Sequence, residues 1–317
     1  MLETFAVQQL AEVSPTSIVP GPLDEFITDL ITLDPVLVQL LVFSLLLGGI
    51  YGLVALGLTM IFGVMDVINF AHGAFLAVAM YIIWGAVHYL RVPLVISIPL
   101  AVIALGIIAV IAYQLTLSPI IEEPQYNQLI VTFGLLLILE NSLNMTFSAN
   151  FRDISPGFGV ITIGPARVPI AQLIGFFLAI VSMLLVWLFL YRTRYGLAIR
   201  GTADNHDSAR RVGININRVY QVTFALGAAL AAIAGAAIAQ YRHFDPYTGH
   251  LYLIYAFVIV VLGGLGSFPG AIVGGFIIGA VQVLGSFYMP NTSFNILIFG
   301  LFVLVLLIKP KGLFGEA

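Results

Sequence analysis

The sequence predicts an all-α protein that crosses a lipid bilayer several times. Of its 317 residues, 61% are hydrophobic and only 9% are charged, whereas about a quarter of the residues of an ordinary soluble domain carry a charge. Long apolar runs follow one another, and they lack the alternation of barrel strands. An open sheet cannot cross lipid, since its edges would leave backbone groups unpaired. These observations exclude a soluble enzyme, a disordered chain and a nucleic-acid-binding protein.

Apolar runs with at most one charged residue locate the helices, because a helix needs about 20 apolar residues to cross the bilayer. The runs cover residues 36–64, 67–90, 92–121, 124–151, 168–191, 219–241 and 246–308. The last run is too long for one crossing and is interrupted by glycine and proline, so we divide it into three spans, the first of them short. The sequence therefore predicts about nine transmembrane helices, within a range of eight to ten, some of them interrupted.

The basic residues predict the orientation, because lysine and arginine accumulate in cytoplasmic loops. Residues 192–218 hold six arginines against two aspartates, a net charge of +4, and are expected to be cytoplasmic. Lys309 and Lys311 place the tail 309–317 on the same side. Counting spans backwards puts the N-terminus outside, where residues 1–35, with six acids and no base, form an acidic extracytoplasmic tail. Residues 36–308 form the transmembrane domain.

Glycines interrupt two of the apolar regions. The helix-break glycines are Gly63 and Gly73 in the first region and Gly263, Gly264, Gly266 and Gly270 in the second. Paired interruptions in a transporter often mark discontinuous helices around the substrate path. Other glycines and alanines recur at four-residue spacing, which predicts close packing between helices of this chain.

Four polar residues within the apolar regions are candidates for the transport pathway: Asn69, His72, Glu140 and Asn144. Glu140 either lines the pathway or forms a hydrogen-bonded strut between helices, since a lone acid avoids lipid. His72 either contacts substrate or serves the unpaired backbone of a broken helix end. The chain has no cysteine, and its five histidines lack metal-ligand spacing, so no metal site is predicted. No phosphate-binding loop or other catalytic motif is present either.

Four segments, in order, resemble the permease subunits of branched-chain (hydrophobic) amino acid importers of the ATP-binding-cassette class. They are residues 57–65 leading into 67–73, residues 194–200 with 209–215, residues 261–267 with 269–271 and 274–275, and residues 309–315. In the last segment relatives more usually have arginine for one lysine. The resemblance extends over nearly the whole chain from about residue 46, and the acidic N-terminal tail lies outside it.

This resemblance implies a permease-like bundle that imports amino acids across the inner (cytoplasmic) membrane. It implies four kinds of partner besides lipid: a second related permease subunit, two cytoplasmic ATPases and an extracytoplasmic solute-binding protein. ATP and magnesium would bind to the ATPases, so this chain is expected to be a transport subunit and not an enzyme. Two alternatives remain, a permease for urea or short amides and an ion-coupled transporter or channel.

The loop 192–218 is the candidate site of coupling to an ATPase. Asp207-Ser208-Ala209 followed by Gly213 resembles the importer pattern Glu-Ala-Ala-x-x-x-Gly, with Asp for Glu and Ser for Ala. The Ile-x-Leu-Pro end of that pattern is absent. The segment predicts a short helix that stops at Gly213. The candidate coupling residues are Arg200, Asp207, Ala209, Arg210, Arg211 and Gly213. The alternative is a loop whose charge serves only to orient the chain.

Overall fold

The computed structural model describes residues 26, 29–30, 34–154, 156–289 and 294–315. Most of the acidic tail predicted for residues 1–35 lies outside the described residues. The same holds for the proline and asparagine at positions 290–291, which separate the last two predicted spans, and for residues 316–317 of the predicted C-terminal tail.

Eleven helices and one small hairpin make up the described part of the chain. The helices are α1 (Pro35–Met65), α2 (Ala71–His88), α3 (Leu94–Ala112, continued by tighter and wider turns to Ile120), α4 (Gln125–Phe147), α5 (Ile170–Arg192), α6 (Arg194–Asp204), α7 (His206–Arg211), α8 (Ile216–Ala239), α9 (Gly249–Gly263), α10 (Phe268–Tyr288) and α11 (Phe294–Ile308). Between α4 and α5, antiparallel strands β1 (Val160–Ile163) and β2 (Ala166–Pro169) form the hairpin.

Seven described helices are long and apolar enough to cross a membrane: α1 to α5, α8 and α10. This confirms a multi-pass α-helical membrane protein. Helices α9 and α11 are apolar but have only 15 residues each, which gives about 22 Å of helix against a hydrocarbon core of about 30 Å. A short α9 agrees with the first of the three spans predicted in residues 246–308, whereas a short α11 was not expected. The count of nine crossings stays a prediction.

Helices α1, α2 and α8 form the centre of the bundle, and most of their residues are buried. Helix α1 packs against α5, α8, α9 and α10, and α8 also contacts α2 and α3. Helices α3, α4 and α5 are largely exposed and apolar, as expected for surfaces that face lipid. Small residues allow the close contacts at the centre: a Cβ at Gly57 would lie 2.9 Å from the Gly227 carbonyl oxygen. The glycine spacing therefore serves packing within this chain.

The chain contacts define two ends of the bundle. At the hairpin end, the Gln39 side chain near the start of α1 donates to the Arg167 carbonyl at 3.0 Å and accepts from the Arg167 N–H at 3.2 Å. At the other end, which we call the loop end because it holds the loop 192–218, the last turn of α1 lies beside α7 and beside the turn between α9 and α10. The C-terminal segment, residues 309–315, contacts the same turn. Both regions predicted to be cytoplasmic therefore lie at one end.

Candidate functional site

The first interrupted segment follows α1 at the loop end. Asp66 adopts a left-handed conformation with φ of 55° and ends α1, and residues 66–70 leave the helix before α2 begins. Side chains of α4 satisfy two freed carbonyls: Gln125 Nε2 donates to the Asp66 oxygen at 3.3 Å, and Thr132 Oγ1 donates to the Ile68 oxygen at 3.1 Å. Unpaired backbone is costly within a membrane, so these bonds fix the interruption in place.

Asn69 and His72 hold the start of α2. The Asn69 side-chain oxygen accepts the Ala71 N–H at 3.0 Å, so asparagine serves the broken helix end. For His72 the alternatives were substrate contact and a broken helix end, and its Nε2 lies 3.0 Å from the carbonyl of Val54, inside α1. A carbonyl only accepts, so Nε2 carries the proton. Both side chains are fully buried, and Asn69 Nδ2 and His72 Nδ1 have no partner among the described residues.

The second interrupted segment is the tight turn between α9 and α10. Gly264 and Gly266 have φ of +105° and +80°, a conformation that favours glycine. Ser267 Oγ accepts the Gly270 N–H at 3.2 Å and so caps α10. A Cβ built at Gly63 would lie only 2.8 Å from the Gly266 Cα. The structure therefore brings the two glycine-interrupted regions into direct contact, which their positions in the sequence did not reveal.

Gly73 belongs to another close contact, between α2 and α9. A Cβ on Gly73 would overlap the Gly249 carbonyl, and a Cβ on Gly249 would overlap the Gly73 carbonyl. Gly263 and Gly270 exclude each other's Cβ in the same way. Gly73 and Gly263 thus permit contact between backbones, of α2 with α9 and of α9 with α10. A larger side chain at either position would push the two helices apart.

The loop 192–218 folds into the helix pair α6 and α7. Asn205 caps α7, and its side-chain oxygen accepts the Ser208 N–H at 2.8 Å. Gly213 follows with φ of +87°, while the Ile214 N–H donates to the Ala209 carbonyl at 3.1 Å. This is the pattern of a helix stopped by glycine, so the predicted short helix and its end at Gly213 are both present.

The predicted coupling side chains face different ways. Ala209 is buried, whereas Asp207 and Arg211 are exposed. The Arg210 guanidinium lies 3.4 Å from the Glu122 carboxylate, and both side chains are mostly exposed. Arg200 donates through Nε to the Leu190 carbonyl at 3.1 Å. It therefore fastens α6 to the end of α5.

His206 connects this helix pair to the interrupted segment. Its Nε2 lies 3.0 Å from the Val64 carbonyl in the last turn of α1, and its ring packs edge-on against Tyr220 at 5.8 Å. The carbonyl again requires the proton on Nε2. Sequence reasoning missed this residue, because nothing in the local pattern indicates which helix end a loop histidine will meet.

Glu140 has a partner that the sequence analysis did not locate. Its Oε1 lies 3.2 Å from His250 Nε2, at the start of the short helix α9. The Glu140 side chain is 1% exposed and that of His250 is 48% exposed. The carboxylate is therefore buried, and its partner histidine lies partly at the surface. Asn144, one turn further along α4, is half-buried. This contact lies between α4 and α9, and the choice between a strut and a lining residue stays a prediction.

An aromatic and amide cluster within the bundle was also missed. Tyr51 donates its hydroxyl to Gln282 Oε1 at 2.5 Å, and its ring lies 6.2 Å from that of Tyr252 and 5.4 Å from that of Tyr255. Tyr255 in turn donates to Asn295 Oδ1 at 3.0 Å. These residues join α1, α9, α10 and α11. Tyr51 lies in a different apolar run from the other residues of the cluster, so sequence spacing offers no sign that they meet.

Comparison with known proteins adds a family match over most of the chain. The model of a family described as branched-chain amino acid transport system / permease component matches residues 40–306. The high-affinity branched-chain amino acid transport system permease protein BraD of Pseudomonas aeruginosa is 33% identical over 293 residues, 88% of this chain and 95% of that protein. No solved structure matches.

Two further relatives have related names. The high-affinity branched-chain amino acid transport system permease protein LivH of Escherichia coli is 32% identical over 288 residues, which cover 85% of this chain and 92% of that protein. A probable branched-chain amino acid transport permease protein LivH of Methanocaldococcus jannaschii is 27% identical over 280 residues, 83% and 88% of the two chains. The similarity therefore covers most of the length of all three relatives.

Proposed function

The chain belongs to the branched-chain amino acid transport permease family, as its motifs predicted, and we propose that it imports branched-chain amino acids as the membrane subunit of an ATP-driven transporter. The names of its relatives support this substrate class. In this proposal the chain pairs with a second permease subunit, two cytoplasmic ATPases hydrolyse ATP with magnesium, and a separate extracytoplasmic protein delivers the amino acid.

The observation that carries the proposal is the contact between His206 and Val64. An ATPase needs a rigid projection through which it can move the membrane helices, and we assign this role to the helix pair α6 and α7. The His206 ring joins α7 to the last turn of α1 at 3.0 Å. A displacement of α7 would therefore reach α1 and the interrupted segment 66–70 without passing through a flexible linker.

The proposed location is the inner membrane, with the loop end in the cytoplasm. The net +4 charge of residues 192–218 supports this orientation. The C-terminal segment contacts the same end of the bundle, so one orientation suits both basic regions. The start of α1 and the hairpin then face outward, and residues 1–35 belong to the extracytoplasmic side. Residues 36–308 act as the permease domain and 309–317 as a cytoplasmic tail.

The proposed pathway runs beside the interrupted helices, near Asn69, His72, Glu140 and Asn144. Their contacts suggest different roles. Asn69 and His72 are buried and hold α2 in position. Glu140 and His250 link α4 to the start of α9, where the half-exposed histidine is accessible. In this proposal most substrate selectivity resides in the separate binding protein, and the permease supplies a largely apolar route.

The test is reconstitution of the assembly in lipid. The tagged chain is purified in mild detergent with its candidate ATPases, second permease subunit and binding protein, and ATP-dependent uptake of leucine, urea and acetamide is measured in proteoliposomes. We expect both ATPases and the second permease to copurify and leucine uptake to require ATP. Urea or acetamide uptake without leucine uptake would support the first alternative, and uptake driven by a proton or sodium gradient without ATP would support the second.

His206 provides a specific variant with a matched control. His206→Leu removes the donor to Val64, whereas His206→Gln retains a side-chain N–H. A hydrogen bond of this kind contributes about 0.5–1.5 kcal/mol, so leucine uptake per ATP hydrolysed should fall about two- to tenfold in His206→Leu. The glutamine variant should recover part of that loss. Equal uptake per ATP in wild type and His206→Leu would contradict the proposed route.

A further inference from the structure

The C-terminal segment folds back onto the turn between α9 and α10. The Leu313 N–H donates to the Leu262 carbonyl at 2.8 Å, and the Phe314 N–H donates to the Gly263 carbonyl at 2.9 Å. Leu262 and Gly263 are buried residues in the last turn of α9, where carbonyls have no partner within the helix. This segment, residues 309–315, therefore completes the end of α9, although α10 and α11 lie between the two in the sequence.

Glycines make this contact possible. Gly312 is buried with φ of +82°, and a Cβ there would lie 2.6 Å from the Gly264 Cα. Gly264 has φ of +105°, and its own Cβ would lie 2.6 Å from the Gly315 nitrogen. Three backbones thus meet without side chains between them: the C-terminal segment, the α9–α10 turn and, through Gly266, the end of α1 at Gly63.

We propose that residues 309–315 act as a clamp that holds the α9–α10 turn against the end of α1, and that transport requires this clamp. The inference rests on the proposed function, because His206 delivers the motion of the coupling helices to the same end of α1. Without the clamp, the last carbonyls of α9 lose their donors. The turn then moves independently of α1, and ATP hydrolysis no longer moves α9.

Gly312→Ala tests the clamp, and Gly164→Ala is its matched control. Gly164 also has a positive φ, +60°, but no described atom lies within 4 Å of a Cβ built there. Both variants carry the backbone strain of alanine in this conformation, and only Gly312→Ala breaks the contact. In proteoliposomes that contain the whole transporter, we expect leucine uptake by Gly312→Ala to fall about tenfold relative to Gly164→Ala, because only Gly312→Ala disturbs the bonds from the Leu313 and Phe314 N–H groups to α9. Copurification of the ATPases should be unchanged.

Hydrogen exchange of the wild-type transporter in nanodiscs provides the second measurement. The Leu313 and Phe314 amides should exchange much more slowly than in a free peptide of residues 309–317, and Leu313→Pro, which removes one donor, should accelerate exchange at Phe314. Uptake by Gly312→Ala equal to that of Gly164→Ala would overturn the clamp. So would unprotected amides in the wild type, a result that decides the matter even if Gly312→Ala fails to insert.

The two proposals fail in different ways. If the ATPases do not copurify with the wild-type chain, the proposed function is wrong, while exchange at Leu313 and Phe314 still reports whether the segment is bound. If the ATPases copurify and uptake is unaffected by Gly312→Ala, the proposed function stands and the clamp is wrong.

Discussion

Replacing Gly63 by alanine should destabilise the bundle, because this position lies against backbone and not against a movable side chain. A Cβ at Gly63 would sit 2.8 Å from the Gly266 Cα, whereas ordinary contacts begin at 3.4 Å. The end of α1 and the α9–α10 turn must therefore separate, and they reach ordinary contact after 0.6 Å, the difference between these two distances. Overpacking of this kind typically costs about 1–3 kcal/mol of unfolding free energy.

Gly134→Ala is the opposite case and serves as the control. Gly134 lies in the middle of α4, and no described atom is within 4 Å of a Cβ built there. Alanine stabilises a helix interior by about 0.5–1 kcal/mol relative to glycine. The same chemical change should thus lower the free energy of unfolding at Gly63 and raise it at Gly134.

Titration of the purified protein with sodium dodecyl sulfate in mixed micelles measures both changes. The fluorescence of Trp84 and Trp187 follows unfolding, since these are the two tryptophans of the chain. The two variants should differ by about 1.5–4 kcal/mol, with wild type between them. If Gly63→Ala is as stable as Gly134→Ala, the end of α1 does not pack against the α9–α10 turn at Gly266, which would refute the contact between the two interrupted segments.

Two further variants test the other contacts. His250→Ala leaves the buried Glu140 carboxylate without its partner, so it should lower the unfolding free energy by about 1–3 kcal/mol. Glu140→Gln retains a polar group and should lower the unfolding free energy less in the same titration. The reverse order would contradict a strut between α4 and α9. Gly213→Ala places alanine at φ of +87° and should reduce ATP-driven uptake about tenfold by disturbing the end of α7. Gly201→Ala, inside α6 with no described neighbour within 4 Å, should leave uptake at or above wild type.

The membrane helices could be predicted closely because crossing the bilayer requires a run of about 20 apolar residues, which is visible in the local sequence. The apolar run 36–64 became α1, Pro35–Met65, and the run 219–241 became α8, Ile216–Ala239. The stop at Gly213 was equally local, since it depends on one left-handed residue after a short helix. Hydrophobicity and helix-ending rules act within a few residues, so one sequence is enough to apply them.

Partners across the bundle could not be predicted, because they depend on how helices rotate and cross. Glu140 was recognised as a buried acid, but its contact with His250 requires the start of the short helix α9 to lie beside α4. For His72 the sequence offered substrate contact or a broken helix end, and its Nε2 meets the Val54 carbonyl inside α1. The Asn69 side chain accepts the Ala71 N–H at the start of α2. The residue types were sufficient to indicate a need for partners, but not to say which backbone would supply them.

At the loop end, the end of α1, the α9–α10 turn and the C-terminal segment are in contact and are expected to move together. The freed carbonyls of the first interruption are bonded by α4 side chains, and those of α9 are bonded by the C-terminal segment. Bending at either interruption would break such bonds within or near the membrane, where each lost partner is costly. Sliding of α2 past α9 at the Gly73–Gly249 contact leaves the bonds to these carbonyls in place. We therefore infer that the interruptions transmit displacement from the coupling helices, and that α2 and α9 move past each other at this glycine contact.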